Sequence, residues 1–360
     1  MKYIDEFRDR KLIDKLVLRI RSSIDSGHTY KFMEVCGTHT MAIFKFSLRD
    51  LLPENIKLIS GPGCPVCVTP NDYLDRAIAI ANLPGVIVTT FGDMMRVPGS
   101  RSSLEKERSG GRSIKIVYST DDALKIARQN PVKEVVFLGV GFETTAPTVA
   151  ASIVTAEREG IDNYSVLSAH KTMPEALEAL VKDRSIQIDG FLLPGHVSVI
   201  IGPEPYGFLA KKYGIGSVIA GFEPIDILEA ILMLIKQKKP RTEIQYKRFI
   251  RPGGNSVARK TMDRVFEQSP AIWRGIGLVP KSGLKIRKTY SRFDAAERFN
   301  IKVAPAREYN GCMCGQILSG MKSPPECGLF GKLCIPENPV GACMVSSEGT
   351  CAAYYKYGKR

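Results

Sequence analysis

The sequence is organised around the stretch Ser60-Gly61-Pro62-Gly63-Cys64-Pro65-Val66-Cys67-Val68-Thr69-Pro70, in which two residues separate the two cysteines. Residues 71–80 predict a helix, with Thr69 as its N-cap and Pro70 in its first turn. The partial positive charge at such a helix N-terminus favours a thiolate over a thiol. The stretch therefore predicts a redox dithiol or a soft-metal site, and half of a zinc site is the structural alternative.

Apolar runs alternate with predicted helices over about the first 240 residues. The chain begins with a predicted helix over residues 1–27, and the runs lie at 30–35, 86–90, 114–118, 134–138, 165–168, 190–193 and 217–220. Continuous apolar strands separated by helices are typical of parallel sheets that helices cover. A chain of 360 residues is also too long for one ordinary core. The sequence thus predicts an α/β protein of two or three domains.

Glycine-rich and polar residues follow several of these runs, at the sheet edge where parallel sheets bind ligands. Cys36-Gly37-Thr38-His39 follows the first run, and His39 is near enough in sequence to hydrogen-bond or deprotonate Cys36. Two later runs are followed by Gly141-Phe142-Glu143-Thr144-Thr145 and by Pro194-Gly195-His196. The three residues Gly221-Phe222-Glu223 repeat the sequence Gly141-Phe142-Glu143. No glycine loop carries a dinucleotide fingerprint or a Walker lysine, so nucleotide binding is unsupported.

The composition, 44% hydrophobic and 24% charged, is typical of a soluble globular protein. The first seven residues are too charged for a signal peptide, and no apolar run is long enough to span a membrane. We therefore expect no membrane contact and a cytoplasmic location, where permanent disulfides are rare. The nine cysteines are then expected to be reduced thiols, metal ligands or a redox relay.

The formal charge of +14 is concentrated in one basic segment, residues 236–302, which holds 18 Lys and Arg against 5 Asp and Glu. This segment has no recognisable nucleic-acid motif and only scattered aromatic residues, so we expect no nucleic-acid partner. A docking face for an acidic protein and a solvated basic surface both account for the charge.

Six cysteines lie within the last fifty residues, among glycines, prolines and short polar runs that cannot form an independent core. Such a segment usually needs a metal to hold its shape. The spacing C-x-C-x12-C-x6-C-x8-C-x7-C lacks the paired C-x-x-C knuckles of a zinc ribbon. Six thiols without a nearby histidine favour an iron–sulfur cluster held by four of them, with zinc as the alternative.

Together these motifs resemble the signature blocks of the HypD family, whose members are maturation factors of [NiFe]-hydrogenases. The similarity spans essentially the whole chain in the expected order. The matching blocks are Cys36-Gly37-Thr38-His39, Gly61-Pro62-Gly63-Cys64-Pro65-Val66-Cys67, Gly141-Phe142-Glu143-Thr144-Thr145-Ala146-Pro147, Pro194-Gly195-His196-Val197-Ser198 and residues 339–355.

The resemblance implies two similar Rossmann-like parallel-sheet domains and a C-terminal cysteine-rich domain with a [4Fe-4S] cluster. We place the first α/β domain at residues 1–120 and the second at 121–240. Residues 241–360 then contain the basic segment and the cluster domain. The implied function is a scaffold that assembles the Fe(CN)2CO unit of the hydrogenase active site with the small partner HypC. HypE would donate cyanide, and HypC would connect the chain to the hydrogenase large subunit.

Residue roles also follow from the resemblance. Cys36 is predicted to bind the transient Fe(CN)2CO iron, with HypC supplying another ligand, because soft iron favours thiolate. His39 would tune that thiolate or hydrogen-bond a cyanide nitrogen, and Cys64 and Cys67 would exchange electrons as dithiol and disulfide. The residues predicted to line the cleft between the two domains are Glu143, Thr144, Thr145 and His196. A helix N-terminal charge for Glu143 and a loop cap for His196 are the structural alternatives.

The cluster ligands are assigned by similarity to ferredoxin:thioredoxin reductase, in which a dithiol lies next to the cluster. The predicted ligands are Cys312, Cys327, Cys334 and Cys351, and the predicted redox pair is Cys314 and Cys343. A stand-alone iron–sulfur thiol-disulfide oxidoreductase is the alternative function. A simple dithiol reductase would not need a third cysteine such as Cys36 facing its dithiol. Whether the chain turns over as an enzyme stays open.

Overall fold

The structure is a computed structural model that describes residues 4–183 and 185–358. Residues 1–3 of the predicted first helix lie outside this part of the chain, and the helix itself begins at Arg10. The strands are β1 (Tyr30–Glu34), β2 (Ile56–Ser60), β3 (Val86–Thr90), β4 (Ile114–Ile116), β5 (Glu134–Gly139), β6 (Tyr164–Ser168), β7 (Gly190–Pro194), β8 (Gly216–Ala220), β9 (Thr242–Ile244), β10 (Phe266–Trp273) and β11 (Gly277–Ile286).

Helices connect these strands and complete the C-terminal segment. They are α1 (Arg10–Ser23), α2 (Gly37–Lys45), α3 (Leu48–Leu51), α4 (Pro65–Val68), α5 (Asn71–Ala81), α6 (Leu104–Ser109), α7 (Thr120–Gln129), α8 (Ala146–Glu159), α9 (Met173–Lys182), α10 (Gly195–Ile201), α11 (Gly207–Tyr213), α12 (Pro224–Lys236), α13 (Ser256–Val265), α14 (Ala295–Phe299), α15 (Cys314–Leu318) and α16 (Thr350–Tyr357). Short 3-10 helices lie at Asp5–Arg8, Gly92–Arg96, Glu204–Tyr206, Lys288–Phe293, Pro324–Glu326 and Ala342–Met344.

Two parallel sheets form the framework. Sheet A has the strand order β2-β1-β7-β8-β9, and sheet B has the order β4-β3-β5-β6. Within each sheet the second strand in sequence lies outside the first and the third lies on its other side. This is a doubly wound arrangement with a topological switch point, between β1 and β7 in sheet A and between β3 and β5 in sheet B. The predicted Rossmann-like α/β fold is confirmed.

The strands of sheet B are inserted in sequence between β2 and β7 of sheet A. The predicted division at residue 120 therefore does not coincide with the division between the sheets, because it falls between β4 and β5 of sheet B. The predicted boundary at residue 240 likewise leaves out β9, the last strand of sheet A. Both sheets have the same local strand–helix rhythm, so this rhythm does not reveal which strands pair over long distances.

All seven predicted apolar runs are strands, because continuous β-branched and aromatic residues fit a sheet that is buried on both faces. Strand β3 of sheet B and strands β7 and β8 of sheet A are buried at every residue. The predictions missed β2, β9 and the β10–β11 hairpin. The short β9 and the half-exposed β10 lack the continuous apolar run that identified the other strands.

The antiparallel β10–β11 hairpin lies in the basic segment and packs against the loop after β6. Trp273 is 1% exposed, and its indole N–H donates to Ser282 Oγ at 2.8 Å. The N–H of Thr172 donates to the carbonyl of Ser282 at 2.9 Å. The basic segment is thus a structural element of the fold as well as a charged surface.

One hydrophobic core joins both sheets to the cysteine-rich C-terminal segment. Buried side chains of sheet A such as Phe191, of sheet B such as Leu138, and of the last fifty residues such as Cys343 belong to the same packed cluster. The two carboxyl-end regions and the cysteine-rich segment are therefore held together by apolar burial. Within the described residues, no helix has the length and hydrophobicity needed to cross a bilayer.

Candidate functional site

The candidate site lies where β1 and β2, neighbours in sheet A, reach their carboxyl ends. Parallel pairing brings the loop after β1, which carries Cys36, beside the glycine loop after β2. The N–H of Gly61 donates to Glu34 O at 2.8 Å, and the N–H of Gly37 donates to Gly63 O at 3.0 Å. The two cysteine motifs that the sequence singled out are therefore in direct backbone contact.

Cys36 occupies the N-cap of α2 and is 8% exposed. Burial, reinforced by the negative charge of Glu348, raises the pKa of the Cys36 thiol to about 12. The nearby backbone N–H groups of His39 and Thr38 act in the opposite direction, but burial outweighs them. The thiol therefore keeps its proton at neutral pH unless a metal or another cation displaces it.

Cys64 and Cys67 are joined by a disulfide across the single turn of α4. Cys64 is the N-cap of this turn, and its sulfur accepts the N–H of Cys67 at 3.2 Å. The predicted helix cap at Thr69 is wrong, because Pro70 precedes α5 and the hydroxyl of Thr69 donates to Pro65 O at 2.8 Å. The cysteine pair therefore lies on its own helical turn, one turn before the helix that the sequence predicted.

The imidazole of His39 is directed toward the end of β8. Its Nε2 lies 2.9 Å from Gly221 O, and because a carbonyl can only accept, the proton is on Nε2. Burial lowers the pKa of His39 to about 4, so the ring is neutral. The ring donor is thus engaged by a backbone carbonyl, and only the backbone N–H of His39 lies near the sulfur of Cys36. The side chain is not placed to deprotonate that thiol.

His196 lies in the first turn of α10, directly after β7, and is at the surface of the same sheet edge. Its ring stacks on Phe222 with centroids 4.0 Å apart, and His39 lies against Phe222 at 4.9 Å. His196 is exposed, and partial desolvation lowers its pKa. A neutral, exposed imidazole on an aromatic support is available to contact a bound group or a partner.

Glu143, Thr144 and Thr145 follow β5 at the carboxyl end of sheet B. Glu143 is 2% exposed, and its Oε1 accepts the N–H of Met173, the first residue of α9, at 2.9 Å. Burial raises the pKa of Glu143 to about 8, so its carboxyl group is protonated at neutral pH. Thr144 and Thr145 are half-buried, and the hydroxyl of Thr145 donates to Phe142 O at 3.2 Å. Glu143 thus contacts the N-terminus of α9, and not that of the helix that follows it, as a neutral group and not as the helix N-terminal charge of the structural alternative.

A buried tyrosine lies between the two sheet edges. Tyr206 is fully buried, and its hydroxyl is 3.4 Å from Ser198 Oγ. Burial and then the charges of Glu143 and Cys36 raise the pKa of Tyr206, so both groups lie within electrostatic reach of its hydroxyl. Glu143 of sheet B and Cys36 of sheet A therefore both lie near Tyr206.

The C-terminal segment joins both sheets through the turn at residues 345–349. The hydroxyl of Thr38 in α2 donates to Glu348 Oε1 at 2.6 Å. The hydroxyl of Ser346 donates to Asp93 Oδ2, after β3, at 2.7 Å. One short turn thus connects the carboxyl end of β1 with that of β3.

All six C-terminal cysteines line one small apolar cavity, although they are spread over forty residues. Five are buried and Cys312 is half-buried. The lining cysteines are Cys312, Cys314, Cys327, Cys334, Cys343 and Cys351, and the other lining residues are Ile317, Leu329, Phe330, Gly341 and Met344. The backbone N–H of Val340 also donates to Cys334 Sγ at 3.4 Å.

Within this cavity Cys314 is the central thiol. Interaction with the thiols of Cys312 and Cys343 and the positive charge of Arg274 hold the pKa of Cys314 well below its usual value. The same interaction raises the pKa of Cys312 and that of Cys343, which also interacts with Cys351. The arrangement favours one thiolate flanked by protonated thiols.

Arg274 connects the disulfide turn with the cysteine cavity. Its guanidinium, on a residue 6% exposed, donates to the carbonyl of Cys67 at 3.1 Å, to that of Thr69 at 2.8 Å and to Asn71 Oδ1 at 2.7 Å. Its charge also acts on Cys314. This buried cation forms an ion pair with Glu308 at 2.7 Å, donates to the backbone beside the disulfide, and acts through its charge on Cys314.

The donor set of the cavity fits an iron–sulfur cluster. Six thiols share an apolar space, and the lining residues include no histidine or carboxylate. Among the described residues, no three His, Cys, Asp or Glu side chains are arranged as ligands of one metal ion. The thiolates of a four-iron cluster bind different iron atoms and lie further apart than the ligands of one zinc. The thiol-only, apolar lining therefore fits a thiolate-bound cluster.

Four residues of this region were not predicted. Asp93 follows β3, so the strand-end rule could have found it. Tyr206, Arg274 and Glu348 come from different parts of the chain and meet the site only through long-range packing. An isolated Tyr, Arg or Glu carries no signal of this kind in one sequence.

The fold and the site define a parallel-sheet α/β protein with a Cys-x-x-Cys disulfide and a six-thiol cavity near the carboxyl ends of its sheets. The family model described as "HypD: Hydrogenase formation hypA family" matches residues 11–358. The chain belongs to the HypD family. It is 47% identical to the hydrogenase maturation factor HypD of Azotobacter vinelandii, over 100% of this chain and 98% of the relative.

Further relatives agree with this assignment. The hydrogenase maturation factor HypD of Cupriavidus necator is 46% identical, over 100% of this chain and 98% of the relative. A putative hydrogenase expression/formation protein of Methanocaldococcus jannaschii is 44% identical, over 97% of this chain and 98% of the relative. The family resemblance read from the sequence is confirmed.

The contact between Gly63 and Cys36 can be tested with Gly63→Ala. A Cβ at Gly63 would lie 2.2 Å from the backbone nitrogen of Cys36, so one of the two loops must move. We expect a loss of about 1–3 kcal/mol in the free energy of unfolding, measured by urea denaturation. Gly207→Ala is the matched control, because a Cβ there meets nothing within 4 Å. Equal stability of the two variants would contradict the close packing.

The protonated state of Glu143 can be tested with Glu143→Gln. Its native pKa of about 8 exceeds the usual 4.5, so the native state holds the proton more tightly than the unfolded state. This stabilisation is fully present below the unfolded pKa and is lost as the pH rises toward 8. Glutamine does not titrate, so the variant does not lose this stability as the pH rises. Its free energy of unfolding, measured by urea denaturation, should therefore increase relative to that of the original protein between pH 4.5 and about 8. Exposed Glu54→Gln is the control, and parallel profiles for Glu143→Gln would contradict the assignment.

Proposed function

We propose that this chain is a scaffold on which the Fe(CN)2CO unit of [NiFe]-hydrogenase is assembled, with Cys36 as its iron ligand. The observation that carries the proposal is the position of Cys36, at the end of β1 and in backbone contact with the loop that carries the Cys64–Cys67 disulfide. A metal-binding thiol beside a redox-active pair suits a carrier whose bound iron must receive ligands and electrons.

Cys36 supplies a soft donor in a nearly dry position. Burial keeps its thiol protonated at neutral pH, so binding of the iron substrate releases a proton and forms the iron–thiolate bond. Cyanide and CO make the iron soft, and a thiolate suits such an iron. The partner HypC would supply a further ligand and HypE the cyanide groups. The exposed His196 and the protonated Glu143 offer hydrogen bonds to the cyanide nitrogens.

The disulfide provides the redox part of the function. Its reduction to two thiols takes up two electrons and two protons at Cys64 and Cys67. The sulfur of Cys67 lies 3.9 Å from Ala342 O, and Ala342 directly precedes Cys343. The disulfide therefore lies against the wall of the cysteine cavity, where a short electron route is available.

A [4Fe-4S] cluster bound in that cavity would supply one-electron transfer. The proposed ligands are Cys312, Cys327, Cys334 and Cys351. The proposed dithiol is Cys314 and Cys343, which interact with each other and lie between Cys312 and Cys351 in the series of thiol contacts. Arg274 stabilises a thiolate at Cys314 and hydrogen-bonds the disulfide turn, so it holds the two thiol pairs in a fixed position relative to each other.

Partner binding completes the proposal. The exposed basic residues of 236–302 form the proposed docking face for acidic surfaces of HypC or HypE, and HypC would pass the assembled unit to the hydrogenase large subunit. A cytoplasmic location without nucleic-acid partners stays a prediction. The alternative function, a stand-alone iron–sulfur thiol-disulfide oxidoreductase, uses the disulfide and the cluster but assigns no role to Cys36.

Cys36→Ala distinguishes the two functions. The protein is purified anaerobically with HypC, and iron, acid-labile sulfide and the infrared bands of CO and cyanide are measured. We expect about four iron and four sulfide from the cluster in both proteins. The CO and cyanide bands and the additional iron should be present in the original protein and absent from Cys36→Ala, because the variant lacks the thiolate ligand.

Cys67→Ala is the companion variant, because it removes the disulfide and keeps Cys36. Bands that persist in Cys36→Ala would contradict the ligand assignment. An original protein with a cluster and disulfide reductase activity, but without the bands, would favour the oxidoreductase. Zinc without sulfide would contradict the cluster.

A further inference from the structure

A cavity of about 640 Å³ lies at the carboxyl end of β6, the edge strand of sheet B, and the six cysteines take no part in it. The β10–β11 hairpin covers this strand end, because Lys171 pairs with Gly283 in an antiparallel bridge. The volume is in the range of small-molecule sites, which are mostly apolar with a few polar groups. The apolar part of the wall includes Tyr73, Leu167 and Ile272.

Lys171 lines this cavity and is 3% exposed. A lysine is rarely so buried unless it is paired or functional. No ion pair of Lys171 occurs within the described part of the chain, and its ammonium is 5.9 Å from the ring centroid of Trp273, at the outer limit of a cation–π contact. Burial lowers the pKa of Lys171 to about 8, and only the charge of Asp72 opposes this effect.

The other charges of the cavity wall already have partners. Asp72 pairs with Arg76 at 3.4 Å, and Lys285 pairs with Glu297 at 3.4 Å. Asp294 is the N-cap of α14, and burial raises its pKa. The buried lysine is therefore the cation of the wall that is left to receive an anion.

His170 places a second unused polar atom at the same strand end. The hydroxyl of Ser168 donates to Leu284 O at 2.9 Å, so its oxygen accepts the Nδ1–H of His170 at 3.1 Å. This fixes Nε2 as an unprotonated acceptor, which is buried without a partner among the described residues. Unsatisfied buried polar atoms are uncommon in folded proteins, and this acceptor is free to take a hydrogen bond from an O–H or N–H of a bound molecule, though not from a carboxylate.

We propose that this cavity binds a small organic monocarboxylate, whose carboxylate pairs with the ammonium of Lys171 and whose apolar body lies against the hairpin. One unpaired cation matches one negative charge, whereas a phosphate dianion would usually meet several cations or free backbone N–H groups. The apolar walls favour an organic acid over an inorganic anion. The site is separate from the proposed iron and thiol chemistry.

The test is isothermal titration of the full chain with benzoate, with the neutral benzamide as the matched probe. We expect saturable binding of benzoate, and at least tenfold weaker binding of benzamide. Lys171→Met should weaken benzoate at least tenfold, because it removes a hydrogen bond to a charged group. Lys182→Met is the control, since this exposed lysine on α9 pairs with Glu178 outside the cavity, and it should leave the affinity unchanged.

A second measurement works without a variant and covers the case in which Lys171→Met fails to fold. Lys171 is acetylated with acetic anhydride in the folded protein, and its peptide is quantified by mass spectrometry with and without benzoate. Protection of Lys171, but not of Lys182, supports the proposal. The proposal is overturned if Lys171→Met and Lys182→Met bind benzoate equally, or if the original protein shows no saturable binding. Acetylation of Lys171 that benzoate does not change would overturn it too. Acetylation of Lys171 only after denaturation would overturn it as well, because the cavity would be closed to small solutes.

Discussion

The pairing of β1 with both β2 and β7 is the constraint on which the rest of the structure depends. The register aligns Phe32 with Leu58 on one side and with Gly190 on the other, so three distant segments end at one sheet edge. Because all three strands are parallel, the segments that follow them, which carry Cys36, the Cys64–Cys67 disulfide and His196, emerge on the same side. The site therefore follows from strand order, and its chemistry follows from what the loops contain.

Local sequence patterns predicted the buried strands and the polar residues that follow them. Buried strands such as β3 and β7 consist of continuous apolar residues, which identified them, and the strand-end rule identified Cys36 and Glu143. The nesting of sheet B within sheet A could not be predicted this way, because strand pairing depends on contacts between segments more than one hundred residues apart. The hairpin was missed for a related reason: Trp273 is buried, but most of β10 around it is exposed.

The site shows the same division between local and long-range effects. The two cysteine motifs that the sequence singled out are in backbone contact, whereas the helix cap was assigned to Thr69. The ring of His39 was expected to lie near the Cys36 thiol. Pro70 precedes the helix instead, and the carbonyl of Gly221 accepts the ring proton. Tyr206 and Arg274 complete the surroundings and have no local signature. At Cys36 burial outweighs the helix N-terminus, since it raises the pKa of the thiol although the residue caps α2.

The turn at residues 345–349 follows every strand of both sheets in sequence, yet it connects the segments after β1 and β3. Sheet B can pair its strands early in synthesis, while β1 must wait for β7. The surroundings of Cys36 are complete only after Glu348 has been made and has reached Thr38. A chain that stops before this turn therefore cannot complete the surroundings of Cys36, and this region is finished only after both sheets have been made.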